Sequence, residues 1–262
     1  MTAWLSRVQL ARNPATKALA ALINPVEGPY RQHLHRPDKG RIMDAHHRLI
    51  WSLFADRPAR DHLWRAEGRG RFLILSATPP AADGAGLFDP PDVRAFTPDL
   101  RAGDRLSFLL RANATQTRKT GATRADGKPK TRHIDVVMDR LYPLTRERDL
   151  LPEQPSERAA LRMALAQEAA QAWLAGQGAR HGFRLDTRDG PDGPVPDAHV
   201  ADYSVTPVPG HVGKREGQPQ FGVMELSGHL LVEDADALLK RILQGFGRAK
   251  SFGCGLMLIR RA

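Results

Sequence analysis

The stretch Leu63-Trp64-Arg65-Ala66-Glu67-Gly68-Arg69-Gly70-Arg71-Phe72-Leu73-Ile74-Leu75-Ser76-Ala77 joins two apolar runs through a pair of closely spaced glycines. Aromatic and branched residues favour extended backbone, and glycines between such runs mark a reversal, so Leu63–Ala66 and Arg71–Ala77 read as neighbouring strands. Upstream, Trp4-Leu5-Ser6-Arg7-Val8-Gln9-Leu10 alternates apolar and polar residues as a strand does. Between them Met43, Leu49, Ile50, Leu53 and Phe54 fall at helical spacing over Met43–Phe54, with Asp44 near the expected helix start. The opening order is therefore β, α, β, β.

Further along, Arg105–Arg111 reads as a strand, and Ser156–Leu174 as a helix capped by Ser156 with Leu161, Leu165, Ala169 and Ala172 on one face. Phe221–Leu226 and Gly228–Val232 read as two strands, Ala235–Gln244 as a short helix ended by Gly245, and Gly255–Ile259 as a last strand. Asn13–Gly40, broken by Pro14, Pro25, Pro29 and Pro37, reads as a long insertion. Pro79–Pro91 reads as a linker with room for a short second helix, and Asp189–Pro196 as a loop. The second half repeats the plan of the first. The expected class is α+β, with two tandem ferredoxin-like (RRM-like, βαββαβ) domains over residues 1–92 and 93–262.

The 262 residues hold 39 Lys+Arg against 29 Asp+Glu, a net charge of +10 that suits a polyanionic partner. Much of the surplus lies between Arg111 and Arg132, where Arg118, Lys119, Arg124, Lys128 and Lys130 face one acid, Asp126. That stretch reads as a basic loop fitted to nucleic-acid phosphates. No helix-turn-helix or heptad pattern supports a DNA-binding regulator. The single cysteine, Cys254, excludes an intrachain disulfide and any zinc cluster built on cysteines, and fits a reducing interior. Arg7 and Arg12 interrupt what a signal peptide would need, and no apolar run approaches a membrane span, so a cytoplasmic location is expected. His33, His35, His46 and His47 raise a metal reading, but no HExxH or HxHxDH pattern is present and none is expected to bind one.

Near the C-terminus stands Gly245-Phe246-Gly247-Arg248-Ala249-Lys250-Ser251-Phe252-Gly253-Cys254-Gly255. Glycines let backbone amides approach a phosphate chain without Cβ clashes, while Arg248 and Lys250 supply charge. Neither the dinucleotide fingerprint nor the P-loop spacing occurs. This run, the strand end Phe108-Leu109-Leu110-Arg111-Ala112-Asn113, and His47-Arg48-Leu49-Ile50-Trp51-Ser52-Leu53-Phe54 follow one another as in the CasE family of CRISPR repeat-processing enzymes, which the chain resembles. The similarity leaves residues 13–40 and 134–154 as insertions.

The resemblance implies a metal-independent endoribonuclease with no cofactor. It implies binding of the stem-loop of CRISPR repeats in precursor RNA, a cut at the base of the stem, and retention of the product with the subunits of Cascade. It makes His47 the catalytic residue, and Arg111, Asn113, Gly245, Gly247, Arg248, Lys250, Ser251, Gly253 and Gly255 RNA contacts. Lys214 and Arg215 would sit on a hairpin entering the RNA groove. The sequence departs from the family at Asp44, where a tyrosine is common, and at Ala114-Thr115, where proline follows the asparagine. Asp44 can orient His47 and raise its pKa but cannot replace a phenol, so Tyr203 and Lys214 stand as substitute catalytic partners, with Arg215 beside them. A catalytically silent RNA-binding scaffold with the same fold is the alternative reading.

Overall fold

The computed structural model describes residues 2–13, 39–54, 57, 59–81, 86–146, 154–208 and 220–262. The chain forms two compact units. One comprises Met1–Asp99 with Thr206–Gln220 and Ala249–Leu256, the other Leu100–Val205 with Phe221–Arg248 and Met257–Ala262. His33, His35, Lys214 and Arg215 lie outside the described residues.

Unit 1 is built on β1 (Trp4–Gln9), α1 (Lys39–Ser52), β2 (His62–Gly68), β3 (Arg71–Ser76) and β4 (Asp92–Ala95). Its sheet has the order β2-β3-β1-β4, antiparallel throughout, which is the ferredoxin-like arrangement. β2 and β3 turn through Gly68, Arg69 and Gly70, all at positive φ, as the two glycines had suggested. Leu49, Ile50, Leu53 and Phe54 bring the apolar side of α1 and the turn after it into one core with Val8, Trp64, Phe72 and Ile74. Each such side chain, fully buried, contributes roughly 1.5–3 kcal/mol.

Three expectations change here. α1 begins at Lys39, so Asp44 lies beyond the first turn and does not mark the helix start. The described part of the expected linker at 79–91 is packed into unit 1: Leu87 and Phe88 belong to the core, and Asp89 donates its amide to the Gln9 carbonyl at 2.9 Å. Unit 1 runs on to Asp99 rather than ending at residue 92, because β4 pairs with β1. Among the described residues no α-helix stands between β3 and β4.

Unit 2 uses the same plan with larger insertions. β5 (Arg105–Ala112) lies between β12 (Gln220–Val232) and β13 (Met257–Arg261), and β11 (Ala198–Pro207) and β8 (Phe183–Leu185) both pair with β12. The long helix α3 (Pro155–His181) and the short α4 (Ala235–Gln244) complete the βαββαβ order. Alternation along β5 buries Leu106, Phe108, Leu110 and Ala112, while α3 contributes Ala166, Ala169, Ala170, Trp173 and Leu174 and α4 contributes Leu238 and Ile242. Asp234 caps α4 by accepting the Ala237 amide at 3.0 Å.

Ser156 is not the cap of α3. Gln154 holds that place without a side-chain bond, and Pro155 opens the helix with its φ already fixed. The two strands expected at 221–232 are one, running through Gly228. The basic stretch is no loop but an antiparallel hairpin of β6 (Thr115–Thr123) and β7 (Pro129–Asp135), followed by α2 (Val136–Arg146). Its turn runs through Asp126-Gly127, where the Lys128 amide donates to Asp126 Oδ1 at 3.2 Å. Residues 189–196 likewise form a ribbon, β9 (Thr187–Gly190) with β10 (Gly193–Pro196), whose edge position tolerates Pro194 and Pro196.

Candidate active site

On α1 the two adjacent histidines part company, as residues a quarter turn apart must. His46 packs edge-on against Phe72 and Trp64, with ring centroids 5.0 and 6.1 Å away. His47 instead faces Trp51 at 6.0 Å and Phe252 at 6.1 Å. Phe252 belongs to the 3-10 turn Lys250–Phe252, which packs on α1 and β2 inside unit 1. That packing requires a glycine at 253. Gly253 has φ +77°, and a Cβ there would stand 2.8 Å from Cζ3 of Trp64.

His47 is half-buried, and its Nδ1 has no hydrogen-bond partner. Burial pushes the imidazole below its ordinary pKa. The Asp44 carboxylate opposes that, the Arg60 guanidinium adds to it, a hydrogen bond to the Ser251 backbone opposes it, and Arg48 adds again. His47 is therefore largely neutral near pH 7, and able to take a proton. Asp44 also holds Arg48, one turn on, at 2.9 Å.

Two residues missed in the sequence join this site. Arg60 donates from Nη1 to the Ser251 hydroxyl at 3.0 Å. His62 opens β2, stacks on Phe54 at 4.3 Å, and lies 5.4 Å from Trp51. Both its ring nitrogens are buried without a hydrogen-bond partner, and burial pushes its pKa down to about 4 against the pull of Asp61. A lone arginine and a lone histidine at the mouth of a strand have no spacing that a sequence pattern can register. Only the folded neighbourhood singles them out.

Other expected contacts are placed differently. Tyr203 is buried in unit 2 and donates to Asp135 Oδ1 at 3.0 Å, and burial pushes the phenol's pKa up and the Asp135 carboxyl's up as well. Asp135 in turn receives the Val137 and Met138 amides at the start of α2, so the Tyr203 hydroxyl steadies a helix end of unit 2. Asn113 is buried too. Its side chain donates to the Gly222 carbonyl at 2.7 Å and its own carbonyl receives the Arg248 amide at 3.0 Å, which makes it a support for the glycine run rather than a surface contact. Arg111 pairs with Glu225 at 2.8 Å, and Arg118 with Asp139. Lys119, Lys128 and Lys130 stand exposed on the hairpin. Gly245 closes α4, and Gly247 and Gly255 also take positive φ.

Among the described residues no three His, Cys, Asp or Glu side chains gather as a metal cluster, and no helix is long and apolar enough to cross a membrane.

Escherichia coli K12 CasE, a Cascade subunit of the CRISPR system, is 28% identical over 221 residues, covering 80% of this chain and 88% of that protein. Thermus thermophilus Cse3, solved with an RNA representing a pre-cleavage complex, superposes with a TM-score of 0.56 at 21% identity over 99% of this chain and 100% of that one. Cas6e of Escherichia coli K-12 superposes at 0.54 with 20% identity, over 99% and 100%. These likenesses agree with the ferredoxin-like units described above. The pattern of the family described as CRISPR associated protein matches residues 3–261, and the chain belongs to that family.

Proposed function

We propose that the protein is an endoribonuclease that binds the stem-loop of CRISPR repeats in precursor RNA and cuts at the base of the stem without a metal ion. The observation that carries this reading is the half-buried, neutral-leaning His47 imidazole between α1 and the Lys250–Phe252 turn. It is supported by the relatives, one named as a Cascade subunit and another, Cse3, as a CRISPR endoribonuclease bound to RNA.

In the proposed step His47 takes the proton of the 2′-hydroxyl. The 2′-oxygen forms a bond to phosphorus, the bond from phosphorus to the 5′-oxygen breaks, and that oxygen takes up a proton. The products carry a 2′,3′-cyclic phosphate and a 5′-hydroxyl. The product RNA stays bound for assembly with Cascade subunits, in the cytoplasm. Incubation with the repeat RNA of the same genome in EDTA, followed by mapping of the ends, tests the step. Cleavage should persist with those ends, and a single 2′-deoxy substitution before the cut should abolish it. Loss on chelation, restored by Mg²⁺ or Zn²⁺, would refute it.

RNA affinity in this reading rests on phosphate contacts from Lys119, Lys128 and Lys130 on the exposed hairpin and from Arg248 and Lys250 in the glycine run. Each released counterion steepens the salt dependence, so substituting Arg248 and Lys250 together with alanine should weaken binding and flatten the plot of log K against log salt by about one to two units. An unchanged slope would mean that neither residue meets a phosphate.

A further inference from the structure

Two cations lie close enough to His47 to act on its charge, Arg48 and Arg60. They are not equivalent. Arg48 is committed to Asp44 at 2.9 Å, whereas the partner of Arg60 is a neutral hydroxyl, that of Ser251, at 3.0 Å. Among the described residues no carboxylate forms an ion pair with Arg60. Its surroundings push its pKa down by burial, although the side chain keeps access to solvent. A guanidinium drawn partly out of water with no counter-charge is favoured to take one, and its fork of N–H donors matches a phosphate. Ser251 fixes where that phosphate would go. Its hydroxyl receives Arg60 and its backbone bonds His47, so both groups meet on one residue of unit 1.

We propose that Arg60 is the catalytic cation of this site, the group that takes the scissile phosphate beside His47. The proposal rests on the endoribonuclease reading above and adds a residue to it. As the 2′-oxygen bonds to phosphorus, negative charge builds on the non-bridging oxygens, and Arg60 stabilises that charge by donating hydrogen bonds without giving up a proton.

A binding scan separates this role from cleavage. The probe is a 2′-deoxy, uncuttable repeat RNA in which one linkage at a time near the stem base is a neutral methylphosphonate. Wild-type protein should lose roughly fivefold or more in affinity at one linkage through its lost contact with a charged donor, and Arg60→Ala should be insensitive at that linkage alone. That linkage should be the one wild type cuts in ordinary RNA. No linkage coupled to Arg60, or a coupled linkage other than the cut one, overturns the proposal.

Kinetics add a second readout. At saturating RNA, Arg60→Ala should cut on the order of 100-fold more slowly, with Arg60→Lys between it and wild type. Because the Arg60 charge lowers the His47 pKa, the acidic limb of the pH profile should move upward in Arg60→Ala and stay in Arg60→Lys. Equal rates for wild type and Arg60→Ala would also overturn it. Wild type that fails to cut while the scan still shows coupling would sink the nuclease reading and leave the phosphate contact standing.

Discussion

Replacing His47 with alanine should slow single-turnover cleavage by roughly two to four orders of magnitude while leaving RNA affinity nearly unchanged, since a positioned proton-transfer group typically contributes that much. Binding has to be measured on the 2′-deoxy RNA, so that rate and affinity are read apart. His46→Ala should behave oppositely. Its ring packs on Phe72 and Trp64, so its loss should destabilise the fold by about 1 kcal/mol, seen as a lower melting temperature, with little change in rate. Asp44→Asn supplies the sign check on the same imidazole. Asp44 is the carboxylate that raises the His47 pKa against burial, so its removal lowers that pKa further, and the acidic limb of the pH profile should shift to lower pH. A His47→Ala protein that cuts at the wild-type rate would remove His47 from the chemistry, whereas wild-type protein that binds the repeat RNA without cutting it would leave the silent RNA-binding scaffold as the better reading.

Gly247→Ala should cost the protein several kcal/mol of stability. The residue sits at φ +70°, and an added Cβ would lie 2.4 Å from the Asn113 carbonyl oxygen. That oxygen already receives the Arg248 amide at 3.0 Å, so it cannot withdraw without breaking the bridge between Asn113 and the glycine run. The left-handed conformation alone costs about 1 kcal/mol for alanine, and the clash with backbone brings the expected total to roughly 2–4 kcal/mol. Gly121→Ala is the control. Gly121 has φ +80° but nothing within 4 Å of the added Cβ, so only the conformational part should appear. Thermal melts followed by circular dichroism decide it. Equal shifts for the two substitutions would show that the contact with Asn113 does not constrain Gly247.

These two residues also show how differently the sequence signals its parts. The strands β1, β2 and β3 and the helix α4 were legible because their apolar residues form runs or faces with punctuation nearby, the glycines at 68 and 70 or Gly245, whereas the short and mostly exposed β4 was not. The hairpin β6–β7 was not, because its strands are exposed on nearly every position and no apolar alternation marks a buried side. Asp126-Gly127 was its one readable sign, and the basic residues around it drew the reading toward a loop. Polar side chains misled for a related reason. Asn113 and Tyr203 look like surface contacts in a list of residues, but whether an amide or a phenol is buried depends on partners from distant strands, here Gly222 and Asp135. His47 itself came from resemblance to a family, since one histidine on an amphipathic helix has no physical mark of catalysis. Its unpartnered Nδ1 and depressed pKa emerge only from the fold.

The order in which these segments leave the ribosome matters as well. Unit 1 holds the sheet of residues 1–99, yet the turn that faces His47 comes from Ala249–Leu256, about 150 residues later in the chain. At a synthesis rate of about 5–20 residues per second, the first sheet can form and then wait on the order of ten seconds before that wall arrives. A nascent chain therefore displays its α1 histidine without Ser251 or Phe252 beside it, and the surroundings of His47 stay unassembled until nearly all of these residues have been translated.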